Sequence, residues 1–286
     1  MPEINTDDLL YSYSEEAVIL KGISISIREP QLVSIIGPNG VGKSTLIHCM
    51  NKILSPVAGT VLVDGKEVKE YEIKELARKI GYVPYTSSDT FPMTVVDTIL
   101  MGRNPHRKWK SLHQDLLVAK KVMEMMDITH LAMRPFNELS AGQHQRVMLA
   151  RGLAQEPEIL LLDEPTANLD IRHQMDVIRL LKQLAVRNGL MVIMISHDLN
   201  IAAKYSDNII MMSKGQIYAV GKPADVITAE NVKEVYNVDS EVIISDGRPF
   251  MMVKDYEFDP DEGGEMGIVE NRGVFDSGSD DGQSMQ

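Results

Sequence analysis

The stretch Gly37-Pro38-Asn39-Gly40-Val41-Gly42-Lys43-Ser44-Thr45 constrains this chain more than any other feature of its sequence. A glycine, four residues and then Gly-Lys-Ser is the pattern of a nucleotide-binding phosphate loop. The apolar run Leu32–Ile36 before it predicts a short buried strand, and residues 46–50 after it follow a helical pattern. Glycines let backbone N–H groups close around phosphate oxygens, and a helix N-terminus adds partial positive charge. The sequence therefore predicts a phosphate site between a strand and a helix.

Two side chains of this loop have expected roles. Lys43 is placed to reach the β- and γ-phosphates of a nucleotide, and the Ser44 hydroxyl is placed to ligate Mg²⁺. The alternative is a chance match in a glycine-rich turn. The strand and helix expected on either side favour the phosphate loop.

Composition limits the compartment and the class of protein. The chain has 286 residues, enough for one large domain or two small ones. Its single cysteine, Cys49, cannot form an internal disulfide, which fits a reducing cytoplasm. The N-terminus lacks the pattern of a signal peptide, and no apolar run approaches the roughly 20 residues of a membrane helix. We expect a soluble protein that docks on a membrane protein.

The negative charge of the chain is concentrated at its end. The net charge is −12, and ten acidic residues and one arginine lie beyond residue 254, so residues 1–254 carry only −3. Nucleic-acid binding needs a positive surface, and neither part predicts one. Residues 255–286 are acidic and rich in glycine and serine, and we expect them to be disordered.

The character of the chain changes along its length. Residues 4–27 predict two or three antiparallel strands, because isoleucines at 23, 25 and 27 alternate with serines. Residues 87–157 instead carry long helical patterns. The basic stretch at 102–110 is either a solvated loop or a contact surface for a partner. Tyr11 and Tyr13 are candidates for stacking on an adenine, and packing in the core is an equal alternative.

Four polar side chains follow two apolar strands in the second half of the sequence. Residues 159–162 are wholly apolar and end in Asp163 and Glu164, and Met191–Ile195 is followed by Ser196 and His197. Such strands belong in parallel sheets, whose ligands bind beyond the carboxyl ends. Asp163 can hold Mg²⁺ through its water, and Glu164 can orient and polarise the attacking water. His197 falls at the same predicted edge.

Two further positions begin predicted helices. Ser140 is a good N-cap, with Gln143 where a capping box requires it and Gly142 in the first turn. Asp170 opens a long amphipathic helix that extends to residue 188. Taken alone, each of these is an ordinary helix cap.

Together these motifs resemble the ATPase subunit of ABC transporters. The segments 37–45, 139–143, 159–165, 168–170 and His197 follow the order and approximate spacing of that family's Walker A, signature, Walker B, D-loop and switch histidine. The resemblance covers residues 4–253. Two stretches, Met101-Gly102-Arg103-Asn104-Pro105-His106 and Asp246-Gly247-Arg248-Pro249, are similar to the importers of iron-siderophore, haem and cobalamin.

The resemblance implies an α/β fold: a P-loop NTPase core with a mixed, mainly parallel sheet, an antiparallel β subdomain, and a helical subdomain inserted at about 87–157. It implies one ATPase domain over residues 1–254, followed by the tail. It also implies a homodimer that closes head-to-tail on ATP and Mg²⁺ at the cytoplasmic face of the membrane. The expected partners are a separate membrane permease and, indirectly, an extracytoplasmic substrate-binding protein, with no nucleic acid.

The resemblance also assigns roles by matching motif. Lys43 and the rest of the loop, residues 37–45, bind phosphates; Ser44 and Asp163 support the metal; Glu164 is the general base. His197 senses the γ-phosphate, Tyr13 stacks on adenine, and Ser140, Gly142 and Asp170 act across the dimer.

One position departs from the family. After Tyr82-Val83-Pro84 the family carries a glutamine that contacts Mg²⁺ and couples hydrolysis to the membrane subunit, and here Tyr85 stands there. The hydroxyls of Thr86, Ser87 or Ser88, or a water, are candidate substitutes. Two rival functions stay open: a soluble ABC ATPase with a role outside transport, and a regulatory nucleotide-binding module with little turnover, which Tyr85 motivates.

Overall fold

The computed structural model describes residues 1–14, 17–85, 93–106, 112–167 and 169–254. Within them the strands are β1 (Ile4–Ser12), β2 (Val18–Ile27), β3 (Leu32–Ile36), β4 (Ala58–Val63), β5 (Lys66–Glu67), β6 (Ile80–Val83), β7 (Ile159–Leu162), β8 (Met191–Ile195), β9 (Asn208–Ser213), β10 (Gln216–Gly221), β11 (Ser240–Ser245) and β12 (Arg248–Val253). The α-helices are α1 (Lys43–Met50), α2 (Ile73–Lys79), α3 (Val95–Met101), α4 (Leu112–Met125), α5 (Ala141–Ala154), α6 (Ile171–Asn188), α7 (Leu199–Tyr205), α8 (Pro223–Val226) and α9 (Ala229–Tyr236). Sequence predictions for Thr86, Ser87, Ser88, Asn168 and the acidic tail lie outside the described residues.

A mainly parallel sheet forms the centre of the molecule. Its strand order is β10-β9-β3-β8-β7-β6, and only β10 pairs antiparallel with its neighbour. Every residue of β3, β7 and β8 is buried, which explains why their sequences are almost wholly apolar instead of alternating. Because these strands run parallel and adjacent, the residues that follow each of them lie along one edge of the sheet.

An antiparallel sheet with the order β2-β1-β4-β5 packs beside the centre. Ile23, Ile25 and Ile27 of β2 are buried, as their alternation predicts, and the N-terminal segment forms two strands. The turn between β4 and β5 has left-handed φ angles at Asp64 (50°) and Gly65 (77°), the conformation that a short hairpin requires. This sheet, α1 and one face of the central sheet share one buried cluster. The predicted fold class is therefore confirmed.

Helices replace strands between β6 and β7. α3, α4 and α5 pack together over the other face of the central sheet, around Phe136, Val147 and Leu149. The sequence did not predict α3, a helix of seven residues that begins where the Thr94 hydroxyl accepts the Asp97 N–H. The described part of this region agrees with the predicted helical subdomain, whose limits stay a prediction.

Arg103, near the start of the basic stretch at 102–110, stabilises the fold. Arg103 is buried, and its guanidinium binds Asp115 at 3.0 Å, Glu156 at 2.7 Å and the Ala154 carbonyl at 2.6 Å. The prediction of an exposed contact surface is therefore wrong for Arg103, because its guanidinium is buried and paired with carboxylates of the same chain. Residues 107–110 lie outside the described residues.

The C-terminal elements pack beside the end of β3, the strand that leads into the phosphate loop. α7, α8 and α9 form a third buried cluster with Ile36, the last residue of β3, and Met251 of the β11–β12 hairpin packs against it. The sequence did not predict α7, which begins where the Asp198 carboxylate accepts the Ile201 N–H. Within the described ranges, no helix has both the length and the apolar composition needed to cross a bilayer.

Candidate nucleotide site

The phosphate loop joins β3 to α1, as predicted, and glycine is required at its first position. A Cβ on Gly37, whose φ is 150°, would lie 2.3 Å from the Met212 carbonyl oxygen of β9. At Gly40, with φ 79°, nothing lies within 4 Å of an added Cβ. The loop therefore lies directly against the sheet at Gly37 and has open space around Gly40. An open tip of left-handed backbone beside a helix N-terminus is a site for anionic oxygens.

Lys43, the first residue of α1, is folded back over this loop. Its ammonium donates to the carbonyl oxygens of Gly37 at 2.8 Å and Pro38 at 2.9 Å. Burial lowers the pKa of Lys43, while the nearby carboxylates of Glu164 and Asp163 raise it. The ammonium is therefore held at the mouth of the loop, where phosphate oxygens would bind.

Ser44 and Asp163 meet across the sheet edge. The Ser44 hydroxyl donates to Asp163 Oδ1 at 3.2 Å, and the Asp163 N–H donates to the Val83 carbonyl at 2.9 Å. Burial raises the pKa of Asp163, and the hydrogen bond from Ser44 opposes that rise. A buried carboxylate beside a hydroxyl is a hard oxygen donor pair, which suits Mg²⁺. In the described ranges, no cluster of three or more His, Cys, Asp or Glu side chains could hold a metal.

Glu164 and His197 form a second pair at the same edge. The Glu164 backbone has a φ of 51°, an unusual value for a residue with a side chain, and Pro165 follows it. This turn directs the carboxylate to the end of β8, where Glu164 Oε1 contacts His197 Nε2. The side chain of Glu164 is 22% exposed and that of His197 is 43% exposed, so a water molecule can reach both.

Tyr13 lies on the N-terminal side of the loop. It follows β1, whose Ser12 pairs with Val18 of β2, and Ile19 and Leu20 of β2 lie against Gly42. The ring is 64% exposed and meets Tyr11 edge to face, with centroids 5.0 Å apart. Tyr11 is buried, so the core alternative holds for Tyr11, and Tyr13 keeps a free face for a base.

Sequence reasoning missed two tyrosines that support this site. Burial raises the pKa of the Tyr236 hydroxyl, at the end of α9, and the Gly37 N–H hydrogen-bonds to it. Tyr82 of β6 pairs with His48 Nε2 of α1 at 2.9 Å, and burial raises its pKa to about 12. No local motif marks either residue, because each reaches the site only through tertiary packing.

Three predicted residues lie apart from this cluster. Ser140 caps α5 in the predicted capping box, and the Asp170 carboxylate caps α6. Among the described contacts, no hydrogen bond joins Ser140, Gly142 or Asp170 to the phosphate loop. Within one chain, the contacts that join Lys43, Ser44, Asp163, Glu164 and His197 do not include the N-terminus of α5 among the described residues.

This geometry defines a nucleotide-binding protein of the phosphate-loop class. A cation and a helix N-terminus lie beside the hydroxyl and carboxylate of Ser44 and Asp163, and a second carboxylate pairs with an imidazole at the same edge. The family model for the ABC transporter domain matches residues 20–167. The chain belongs to the ABC transporter family and is its ATP-binding, ATP-hydrolysing component.

Relatives and solved structures agree with this family. An uncharacterised ABC transporter ATP-binding protein of Methanocaldococcus jannaschii is 43% identical, over 84% of this chain and 93% of its own. The ferric enterobactin transport ATP-binding protein of Escherichia coli is 37% identical, over 79% and 84%. A metal-chelate type ABC transporter, solved in an inward-facing conformation, matches with a TM-score of 0.77 and 27% identity, over 90% of this chain and 99% of its own.

Other relatives are named for the import of different cargo. Import ATP-binding proteins for haemin and for cobalamin are 39% and 38% identical. The chain spans 55% of the length of the cobalamin protein from Halobacterium salinarum. A bacterial ABC cassette that is 30% identical was solved as a dimer, with a TM-score of 0.68. This chain therefore resembles the ATPases of importers for iron chelates, haem and cobalamin.

Proposed function

We propose that this ATPase energises the uptake of an iron chelate, haem or cobalamin through a separate membrane permease. It works as a homodimer bound to the cytoplasmic face of the membrane, with an extracytoplasmic binding protein delivering the cargo. The names of its relatives support this class of cargo. The near-neutral charge of residues 1–254 gives no support to a nucleic-acid partner.

The observation that carries the proposal is the division of the site. Lys43, Ser44, Asp163, Glu164 and His197 meet at one sheet edge, and among the described contacts no hydrogen bond joins the capped start of α5 to any of them. A capped helix start with a glycine in its first turn can bind an anion. In a head-to-tail dimer, Ser140 and Gly142 of one copy would face the γ-phosphate held by the other.

Each side chain has a task in hydrolysis. The ring of Tyr13 stacks on adenine, residues 37–45 enclose the phosphates, and Lys43 exchanges its two carbonyl partners for phosphate oxygens. Glu164 takes a proton from the attacking water, and His197 holds that carboxylate in place and contacts the γ-phosphate. Asp170 acts across the dimer.

Ser44 and Asp163 would hold Mg²⁺, Asp163 through a water molecule of the ion. When bound, the ion would neutralise charge on the phosphate oxygens. Asp163 is buried, and burial raises the pKa of its carboxyl, so a cation there would relieve the cost of burying the charge.

The decisive variant is Glu164→Gln. The amide keeps the size of the side chain and its contact to His197 but cannot accept the proton, so ATP stays bound. We expect an ATP-dependent dimer, measured by sedimentation, and turnover reduced by about 10²–10⁴-fold, the range for a lost general base.

Lys43→Ala is the matched control. It removes the phosphate contact while leaving the carboxylate, so it should neither bind ATP tightly nor dimerise. A Glu164→Gln protein that stays monomeric with ATP, or that hydrolyses normally, would contradict the proposal. Copurification of the tagged full chain with a polytopic membrane protein, and not with nucleic acid, tests the transport role.

A further inference from the structure

The imidazole of His173 lies between two segments that are distant in the sequence: the N-cap of α6 and the first turn of α5. Its Nδ1 is 2.8 Å from Asp170 Oδ2, and its ring lies against Gly142 in the first turn of α5. Asp170 and Gly142 are 28 residues apart in the chain. One side chain therefore connects the cap of α6 with the start of α5.

The contact with Gly142 is close. A Cβ on Gly142 would lie 3.3 Å from His173 Cδ2 and 3.4 Å from Cγ, so a side chain there would press on the ring. Since Gly142 has no positive φ in this structure, its backbone conformation does not demand glycine. Space for the imidazole is a reason within the chain for glycine at this position.

Further bonds attach the start of α6 to its surroundings. The Gln174 side-chain amide donates to the Thr166 carbonyl at 3.3 Å, in the segment that follows Glu164. Arg146 of α5 binds Asp176 of α6 at 3.3 Å. The first two turns of α6 are thus bonded both to α5 and to the loop that carries Glu164.

The imidazole is not needed for the helix cap itself. Asp170 Oδ1 accepts the backbone N–H of His173 at 2.8 Å, a bond that any residue except proline can make at position 173. An exposed side-chain contact of this kind, even when both groups are charged, is worth only about 0.2–1 kcal/mol to stability. Removing the ring should therefore leave the fold and the cap intact and change only how α5 and Asp170 are held relative to each other.

We propose that His173 is a positioning residue that holds the N-terminus of α5 in register with Asp170 of the same chain. Both features then meet the partner copy's nucleotide as one rigid unit. The inference rests on the proposed function, because it needs a dimer in which Ser140, Gly142 and Asp170 act in trans. It predicts that His173 affects dimer closure and has no effect on the binding of ATP by a single copy.

The test uses the full chain carrying Glu164→Gln, with and without His173→Ala. A fluorescent ATP analogue measures nucleotide affinity at protein concentrations where the chain is monomeric, and sedimentation with ATP and Mg²⁺ measures dimerisation. We expect monomer affinity within twofold of the parent and a dimer dissociation constant raised by about tenfold, equivalent to roughly 1.4 kcal/mol.

Two variants separate positioning from a general loss of structure. His173→Asn places an amide nitrogen near the position of Nδ1, so it can keep the bond to Asp170, and it should restore most of the dimer. His113→Ala changes an exposed histidine of α4 and should match the parent. In turnover measurements without Glu164→Gln, His173→Ala should lower kcat at low protein concentration and leave the KM for ATP unchanged.

The outcomes distinguish the two ideas. If the Glu164→Gln parent does not dimerise, the proposed function fails and the inference fails with it. If the parent dimerises and His173→Ala dimerises equally well, only the inference is overturned. The same holds if His173→Ala weakens ATP binding by the monomer, or if His173→Asn behaves like the alanine variant.

Discussion

At the scale of single residues, the candidate site follows from a simple rule of sheet geometry. β3, β7 and β8 are recognisable from sequence as apolar runs, and parallel strands bring the residues after them to one edge. That rule predicted the meeting of Lys43, Asp163 and His197. It could not predict the left-handed backbone of Glu164, because that conformation is fixed by tertiary contacts around the turn.

Tyr85 leads to a prediction at this scale. It lies two residues after Val83, whose carbonyl accepts the Asp163 N–H, and it is 46% exposed. A phenol is a poor ligand for Mg²⁺, whereas an amide oxygen is a good one. Tyr85→Gln should therefore lower the Mg²⁺ concentration needed for half-maximal ATP binding, by about three- to tenfold, a gain below roughly 1.4 kcal/mol.

Tyr85→Phe is the control, since it keeps the ring and removes the hydroxyl, and it should match the parent. ATP binding at varied Mg²⁺ and uptake by the reconstituted transporter are measured in parallel. Identical Mg²⁺ dependence and identical uptake for the parent and Tyr85→Gln would show that position 85 has no part in either step.

At the scale of elements, Gly102 and Arg103 bind the helical region to the end of α5. Gly102 ends α3 directly against α5, and Arg103 reaches the Ala154 carbonyl and Glu156 just beyond it. The His106 ring adds a bond to the Gln155 carbonyl at 2.8 Å. Residues 101–106, one of the two stretches that are similar to the importers of iron-siderophore, haem and cobalamin, thus connect α3 to the end of α5.

Gly102→Ala tests how tightly this connection is packed. A Cβ there would lie 2.1 Å from the Arg151 carbonyl oxygen, so α3 or α5 must move. Overpacking of this kind costs about 1–3 kcal/mol, and each kcal/mol lowers Tm by roughly 2–4 °C in a domain of this size. Gly221→Ala is the control, because its nearest neighbour would be 3.7 Å away. Equal melting temperatures for the two variants, by calorimetry, would contradict the packing argument.

Most elements could be predicted from sequence, and the exceptions share a cause. Long amphipathic helices such as α6 show a clear helical period, and the fully buried strands are recognisable as continuous apolar runs. α3 and α7 have seven residues each, which is about two turns and too few to display one. Their capping residues, Thr94 and Asp198, were the available signals. The support that Tyr236 gives to Gly37 had no signal, since it joins residues 199 positions apart.

At the scale of the whole molecule, the proposed function gives one copy complementary halves of two nucleotide sites. Under the proposed function, catalysis needs two copies in contact. The ATPase rate per mole of chain should therefore rise with protein concentration when the permease is absent, and approach a plateau when the dimer forms fully.

Sedimentation under the same conditions links the rate to the dimer, and the two curves should share a midpoint. Lys43→Ala should be inactive at every concentration. A rate per chain that stays constant while sedimentation shows only monomer would contradict a divided site.

The carbonyl partners of Lys43 have a consequence for the timing of the cycle. Because the ammonium is tethered to the backbone of Gly37 and Pro38, the loop has a reason to keep its shape after products leave. Under the proposed function, an arriving triphosphate would exchange one set of oxygen atoms for another on a lysine that is already in position. We therefore expect the loop to need little rearrangement before it binds the next nucleotide.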